Sequence, residues 1–289
     1  QVKAFVQEAA ANVSFLAPTA DNPIRINFNE NALGMSPSAQ AAARDAVVKG
    51  NRYAKAEIAQ LHSKLCDMYK VPKNFLLLTD GSSEGIRTLL GAYSRLPKVQ
   101  LVIPELTYGD GEHFAGLYNI PITKVPMLAD WKVDVAGLKK AVDAFDGFSI
   151  VYFVNPNNPT STVTPASEIE PWVKSKPDNT LFIADEAYAE YVSDPKFKSL
   201  GGLINEGLDN VVLLKTFSKL YAMAGMRVGF AVGAPAIIKM MKDQVAGEKL
   251  NYPGVTAALV SLDDEPFQAY SRASNLESRK ILSSCLDKL

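Results

Sequence analysis

Apolar positions along this 289-residue chain fall into two rhythms. Six short runs are apolar on both faces: Phe75–Leu78, Leu101–Ile103, Ile150–Val154, Leu181–Ala184, Val211–Leu214 and Val228–Val232. Between them lie longer stretches with apolar residues at helical spacing, as over Ile58–Tyr69 and from Pro235 to about Val245. Buried strands alternating with helices predict an α/β fold, a mostly parallel sheet covered on both sides. Ser36-Pro37 reads as the cap and first turn of a helix continuing through Ala39–Val48, and another helix is expected over Ile86–Ala92. Residues 1–24 read as an arm with a helical piece over Lys3–Val13, and Arg25–Asn31 as a brief extended segment. Tyr252-Pro-Gly254 reads as a break, followed by two helical segments of which the last runs from Ser274 to Leu289. The expected division is an arm (1–24), a large domain (25–245) and the beginning of a small α+β domain (246–289), which the reading expects to be incomplete.

Composition narrows the classes. A net charge of −1 gives no electrostatic reason to bind nucleic acid or an anionic membrane. No apolar run approaches the length of a membrane span, no export signal is visible, and the expected location is the cytoplasm. Two histidines and two distant cysteines, Cys66 and Cys285, form no metal-ligand pattern.

Ligands of open α/β sheets bind beyond the carboxyl ends of the strands, so the residues after each apolar run are the candidates. After Phe75–Leu78 comes Gly81-Ser-Ser-Glu-Gly85 at a helix start: backbone N–H groups, hydroxyls and the positive end of a helix dipole suit a phosphate, though taken alone an N-cap with a tight turn is the commoner explanation. Tyr108 follows the second run and either stacks on a flat ligand or plugs the core edge. Asn155-Pro-Asn-Asn-Pro-Thr160 follows the third, a rigid turn offering fixed amide donors. Asp185, directly against an apolar run, is expensive to bury without a cationic partner, unless it caps a helix; Tyr188 lies three residues on. The fifth run turns polar over Lys215–Lys219. Lys219 follows the hydroxyls of Thr216 and Ser218, and Arg227 lies eight residues further. A lysine desolvated at such a mouth is a nucleophile for a carbonyl, unless it is an ordinary surface residue. Lysine, acid, amide donor, stacking ring and phosphate cradle are together the requirements of pyridoxal phosphate.

With these residues in view, Asn-Pro-Asn-Asn-Pro-Thr, Asp-Glu-Ala-Tyr and Thr-Phe-Ser-Lys followed by Gly-Met-Arg-Val-Gly, the chain resembles the class I/II aminotransferases of the aspartate aminotransferase fold, nearest the histidinol-phosphate aminotransferase-like branch, from about Arg25 onward. The resemblance implies that Lys219 carries the cofactor imine and then serves as base and acid. Asp185 would hold the pyridinium proton, Asn158 and Tyr188 would hydrogen-bond the ring hydroxyl, and Tyr108 would stack on the ring. Ser82, Ser83, Thr216 and Arg227 would grip the phosphate with backbone help from Glu84. Tyr53 would reach it from the neighbouring subunit, which implies a homodimer with shared sites. The implied reaction moves an amino group between an amino acid and a 2-oxo acid.

The chain departs from the family's pattern in four places. Ser161 stands where glycine is usual and Ala54 where proline often follows the tyrosine. Leu33 replaces an aromatic residue common in histidinol-phosphate enzymes. An arginine for the substrate carboxylate is not identifiable; Arg272 and Arg279 read as solvated helix residues. Another pyridoxal-phosphate reaction (lyase, decarboxylase or racemase) and a silent cofactor-binding fragment are the alternatives. A dinucleotide enzyme is disfavoured by the glycine spacing at Gly81–Gly85.

Overall fold

A computed structural model describes residues 19–21, 23–247 and 249–289. The helical piece expected over Lys3–Val13 lies outside the described residues. In chain order the elements are α1 (Pro37–Val47), α2 (Lys55–Tyr69), β1 (Leu76–Thr79), α3 (Ser82–Tyr93), β2 (Val99–Pro104), α4 (Asp110–Leu117) and β3 (Ile122–Val125). Then come α5 (Val135–Asp143), β4 (Phe148–Val154), α6 (Ala166–Lys174), β5 (Thr180–Asp185), α7 (Gly201–Asn205) and β6 (Val211–Thr216). The chain continues with β7 (Gly229–Gly233), α8 (Pro235–Lys242), α9 (Tyr252–Ser261) and α10 (Glu265–Leu286). Among the described residues no helix is long and apolar enough to cross a membrane. The described residues fall into two compact units, one drawn from residues 59–216 and 228–249, the other from residues 19–58, 217–227 and 250–289.

The first unit is built on a seven-stranded sheet in the order β1-β7-β6-β5-β4-β2-β3. All neighbours are parallel except β7, which runs antiparallel to both β1 and β6. Two reversals restore direction, so the carboxyl ends of β1, β2, β4, β5 and β6 share one edge. All six apolar runs became strands. The seventh, β3, escaped the reading because Ile-Thr-Lys-Val is a four-residue edge strand with little burial, and so lacks a continuous apolar run. On one face of the sheet Tyr152, Val154, Ile183, Val212 and Leu214 pack with Ile86, Leu89 and Leu90 of α3 and Ile237, Ile238 and Met241 of α8. On the other, Phe182 meets Trp172 of α6 edge-on at 4.7 Å. Fully burying one such ring contributes up to ~3 kcal/mol.

In the second unit an alanine stripe on α1 (Ala39, Ala43, Ala46) and a small-residue face on α9 (Gly254, Ala257, Ala258) are both buried. The Thr256 hydroxyl donates across to the Ala42 carbonyl at 3.3 Å, an approach that larger side chains would prevent. Tyr252-Pro-Gly254, expected to break the chain, instead opens α9. Asn251 caps it by accepting from the Gly254 N–H at 2.7 Å, and Pro253 lies in the first turn, where a missing N–H leaves no bond unmade. Arg25–Asn31 forms no strand, and Asn29 takes a left-handed conformation (φ 50°). Arg272 and Arg279 are exposed on α10, as expected.

Candidate active site

In the sheet unit the candidates gather at the shared carboxyl edge. β1 ends in Thr79, and Gly81 (φ 78°) turns the chain into α3 without a side-chain cap. That leaves the backbone N–H groups of the first helical turn, at Ser82, Ser83 and Glu84, without intrahelical acceptors. The tight turn and the candidate phosphate cradle are therefore one feature of the chain, without the expected side-chain cap. Gly229 of β7 makes the approach possible: a Cβ there would lie 2.7 Å from the Gly81 carbonyl carbon and 2.8 Å from the Lys215 oxygen. The Glu84 side chain is committed to its neighbours: it accepts from the Asp80 N–H at 2.8 Å and pairs with Lys249.

Tyr108, four residues beyond β2, hydrogen-bonds through its hydroxyl to Ser83 and Asp110, and burial pushes its phenol up to about 12. Ring and phosphate-type turn are thus tied directly. Beyond β4 the three asparagines divide their labour, on a loop whose Asn155–Pro156 and Asn158–Pro159 peptides are both cis. Asn155 pairs with both backbone groups of Thr164, and Asn157 bonds Leu106, Thr107 and Thr160. Among the described residues the Asn158 amide makes no hydrogen bond. The loop is held by two asparagines and presents the third.

Asp185 ends β5 only 2 % exposed. Its carboxylate accepts from the Tyr152 hydroxyl at 2.8 Å and from the Ala187 N–H at 3.2 Å. Desolvation outweighs both bonds and pushes its pKa up to about 6. No helix starts here; only a short 3-10 turn, Ala189–Tyr191, follows, so the helix-cap reading of Asp185 falls. Tyr152, inside β4 three residues before the asparagine-proline turn, is a site residue that the motifs do not mark. Its signal was a tyrosine inside an otherwise apolar strand, whose buried hydroxyl needs a partner. Lys215 is the clearest correction to the polar stretch expected over Lys215–Lys219. It and Thr216 remain in β6 and are buried, with Lys215 paired to Glu190 at 2.6 Å.

Lys219, Arg227 and Tyr53 belong to the second unit. Along the chain Lys219 comes three residues after the end of β6, and Arg227 two residues before β7. The Lys219 ammonium donates to the carbonyls of Phe28 and Asn29 at 3.1 and 3.2 Å. Its own backbone is held by Asn31, whose amide donates to the Lys219 and Leu220 carbonyls, both at 3.2 Å, and to the Ser271 hydroxyl at 2.8 Å. Nothing in the residue pattern pointed to Asn31, since its partners lie 188 to 240 positions away. Arg227 is left-handed (φ 54°), an uncommon state for a side chain of this size, and donates to the Ala224 carbonyl at 2.9 Å. Tyr53 is 69 % exposed. Ser161 also adopts positive φ (56°), the physical reason that glycine suits this position better.

Comparison with known proteins gives this arrangement its relatives. Residues 22–289 match the family described as aminotransferase class I and II. The histidinol-phosphate aminotransferase of Symbiobacterium thermophilum is 32 % identical over 266 residues, covering 92 % of this chain and 72 % of that protein. A crystal structure from Erwinia carotovora atroseptica, provisionally named a histidinol-phosphate aminotransferase, is 60 % identical with a TM-score of 0.93, covering 95 % of this chain and 79 % of that one. The Sinorhizobium meliloti histidinol-phosphate aminotransferase, solved in complex with pyridoxal 5′-phosphate, is 26 % identical with a TM-score of 0.79, over 94 % and 74 %. The chain belongs to the class I and II aminotransferases, enzymes that work with pyridoxal 5′-phosphate.

Proposed function

We propose that this aminotransferase moves the amino group of an L-amino acid, with histidinol phosphate as one candidate donor, onto a 2-oxo acid, using the residues gathered above. Histidinol phosphate enters through the names of the relatives; Leu33, in place of an aromatic residue, argues for testing other donors beside it. The observation that carries the residue assignment is Asp185. It is a carboxyl buried to 2 % exposure, hydrogen-bonded on both oxygens yet held near pH 6, which is the state of an acid suited to a buried cation. The remaining donor set fits the same cofactor: an uncapped helix N-terminus with two serines for a phosphate, and an uncommitted amide at Asn158.

When bound, the cofactor supplies an electron sink for the pair left at the substrate α-carbon. The chain's own groups do the rest. Asp185 holds a proton on the ring nitrogen. Asn158 and Tyr188 donate toward the ring hydroxyl, and Tyr108 covers the ring. Ser82, Ser83, Thr216, Arg227 and the Glu84 N–H hold the phosphate. The Lys219 amine would hold the cofactor at its carbonyl carbon and would be the base and acid that moves the proton at the substrate α-carbon. Tyr53, exposed in the single chain, serves the phosphate of a second copy, so the working form is a homodimer. The proposed cofactor-binding residues all fall within 25–245, the expected large domain, and the proposed location is the cytoplasm, which cell fractionation tests.

The test is borohydride reduction of the cofactor-loaded protein, then peptide mapping and product analysis with a panel of amino acids. The expected label is on Lys219, lost in Lys219→Ala, and each active donor yields its 2-oxo acid. Label scattered over surface lysines defeats the residue assignment. Carbon dioxide in place of the oxo acid defeats the reaction assignment.

A further inference from the structure

Lys215 has no part in the roles above, yet it is one of the most buried charges of the sheet unit, 4 % exposed in the middle of the edge that carries them. Strand alternation sends it away from the cofactor side. Asp185 pairs in register with Leu214, so those two share a face with Thr216, while Lys215 and Glu186 point to the opposite one. On that reverse face the Lys215 ammonium makes two polar contacts among the described residues. It donates to the Glu186 carbonyl at 2.9 Å and pairs with the Glu190 carboxylate at 2.6 Å. The Tyr69 phenol and the Glu186 carboxyl complete its charged surroundings. Glu186 is itself fixed, its carboxylate accepting from the Leu200 N–H at 2.8 Å.

The spacing of these contacts is what gives them meaning. Glu186 opens the turn that leaves β5, Glu190 lies in the 3-10 turn that closes it, and Tyr188 stands midway between them. The path of the turn is held by isolated short-range bonds rather than a regular ladder: Ala187 N–H to the Asp185 carboxylate at 3.2 Å, Ala189 N–H to the Glu186 carbonyl at 3.2 Å, Tyr191 N–H to the Tyr188 carbonyl at 3.0 Å and Val192 N–H to the Ala189 carbonyl at 3.1 Å, while the Glu186 N–H reaches the Leu214 carbonyl at 3.1 Å. A short irregular loop of this kind has little stiffness of its own. Lys215 bolts both of its ends to β6, a strand buried along its whole length. One ammonium can do this because it offers three donors on a point charge. We propose that Lys215 is a positioning residue: from behind the sheet it clamps the 186–190 turn and thereby fixes the hydroxyl of Tyr188 toward the cofactor. This rests on the reading of Tyr188 as a partner of the ring hydroxyl.

Two measurements test it. In the cofactor-free protein, hydrogen exchange is followed at Ala189 and Tyr191 in wild type, Lys215→Met, Lys215→Arg and Glu190→Gln. Exchange about tenfold faster in Lys215→Met and Glu190→Gln, with β5 unchanged and Lys215→Arg close to wild type, is expected for a clamp. In the cofactor-loaded protein, the pH midpoint of the visible band is compared for the same variants with and without Tyr188→Phe. Lys215→Met should move the midpoint in the direction of Tyr188→Phe and add nothing in the Tyr188→Phe background, the signature of action through one residue. A purely structural ion pair would leave the midpoint in place. Exchange that stays at wild-type rates, or shifts that add fully, overturns the proposal. A midpoint unmoved by Tyr188→Phe alone defeats the reading of Tyr188 instead, and the clamp is then judged by exchange. If Lys215→Met does not fold, Glu190→Gln carries both measurements, since it leaves the bond to the Glu186 carbonyl intact.

Discussion

Asp185 makes the cofactor-free protein less stable as the pH rises, and the size of that effect follows from its burial. The carboxyl has an ordinary value of 3.8 and is pushed up to about 6 in the fold, because desolvation outweighs the bonds from Tyr152 and Ala187. Below pH 4 both folded and unfolded chains carry the proton, and the group is neutral with respect to stability. Between pH 4 and 6 the unfolded chain ionises while the folded one does not. Folding therefore takes up a proton and weakens with each step in pH. At about 1.4 kcal/mol per pH unit, the stability lost by pH 6 is ~3 kcal/mol, with no further change above it. Asp185→Asn removes the titration while keeping shape and an acceptor for Tyr152. Urea unfolding of both cofactor-free proteins at pH 4, 5, 6 and 7 isolates the effect, because the neighbouring Glu186, raised to about 7 by burial, contributes equally to each. The variant should gain ~3 kcal/mol on the wild type between pH 4 and 6 and hold that gain at pH 7. A stability difference independent of pH would mean that Asp185 is not desolvated, and would remove the main support for its pairing with a buried cation.

Three further outcomes are expected. Ser161→Gly relieves a positive φ and should raise stability by ~1 kcal/mol, seen as a higher melting temperature with activity unchanged. Asn31→Ala strips three hydrogen bonds from the lysine segment and from Ser271; it should cost ~2 kcal/mol in denaturant unfolding and slow turnover more than it raises KM. Gly229→Ala places a methyl against the Gly81 backbone and the Lys215 oxygen, atoms that cannot turn aside. It should destabilise by ~2 kcal/mol and weaken inorganic phosphate binding, read by calorimetry.

Much of the fold was legible because burial on both faces of a parallel sheet writes continuous apolar runs into the chain. The candidate site was legible for a related reason. Strand mouths mark where apolar sequence becomes polar, and Ser82, Tyr108, Asn158, Asp185 and Lys219 each follow such a boundary. Local chemistry alone gave the helix beginning at Pro37, but it misjudged Tyr252-Pro-Gly254, since the same residues that break a helix also start one when Asn251 caps them. Strand order, the reversal of β7 and the edge strand β3 were beyond the sequence, because pairing is decided between segments far apart in the chain.

The same distinction runs through the site. Residue types and their spacing determined the family, the cofactor and the candidate list. Which asparagine is free, what holds the Asp185 carboxyl and what holds the Lys219 backbone were decided by the tertiary structure alone. Lys215 shows the reason most plainly. By its neighbours it is one more polar residue at the mouth of β6; in the fold it is a buried strand residue, because Glu190 is brought to it by the pairing of β5 with β6. A charge can be buried only where its counter-charge arrives, and that arrival is a property of the packed chain rather than of any stretch of sequence.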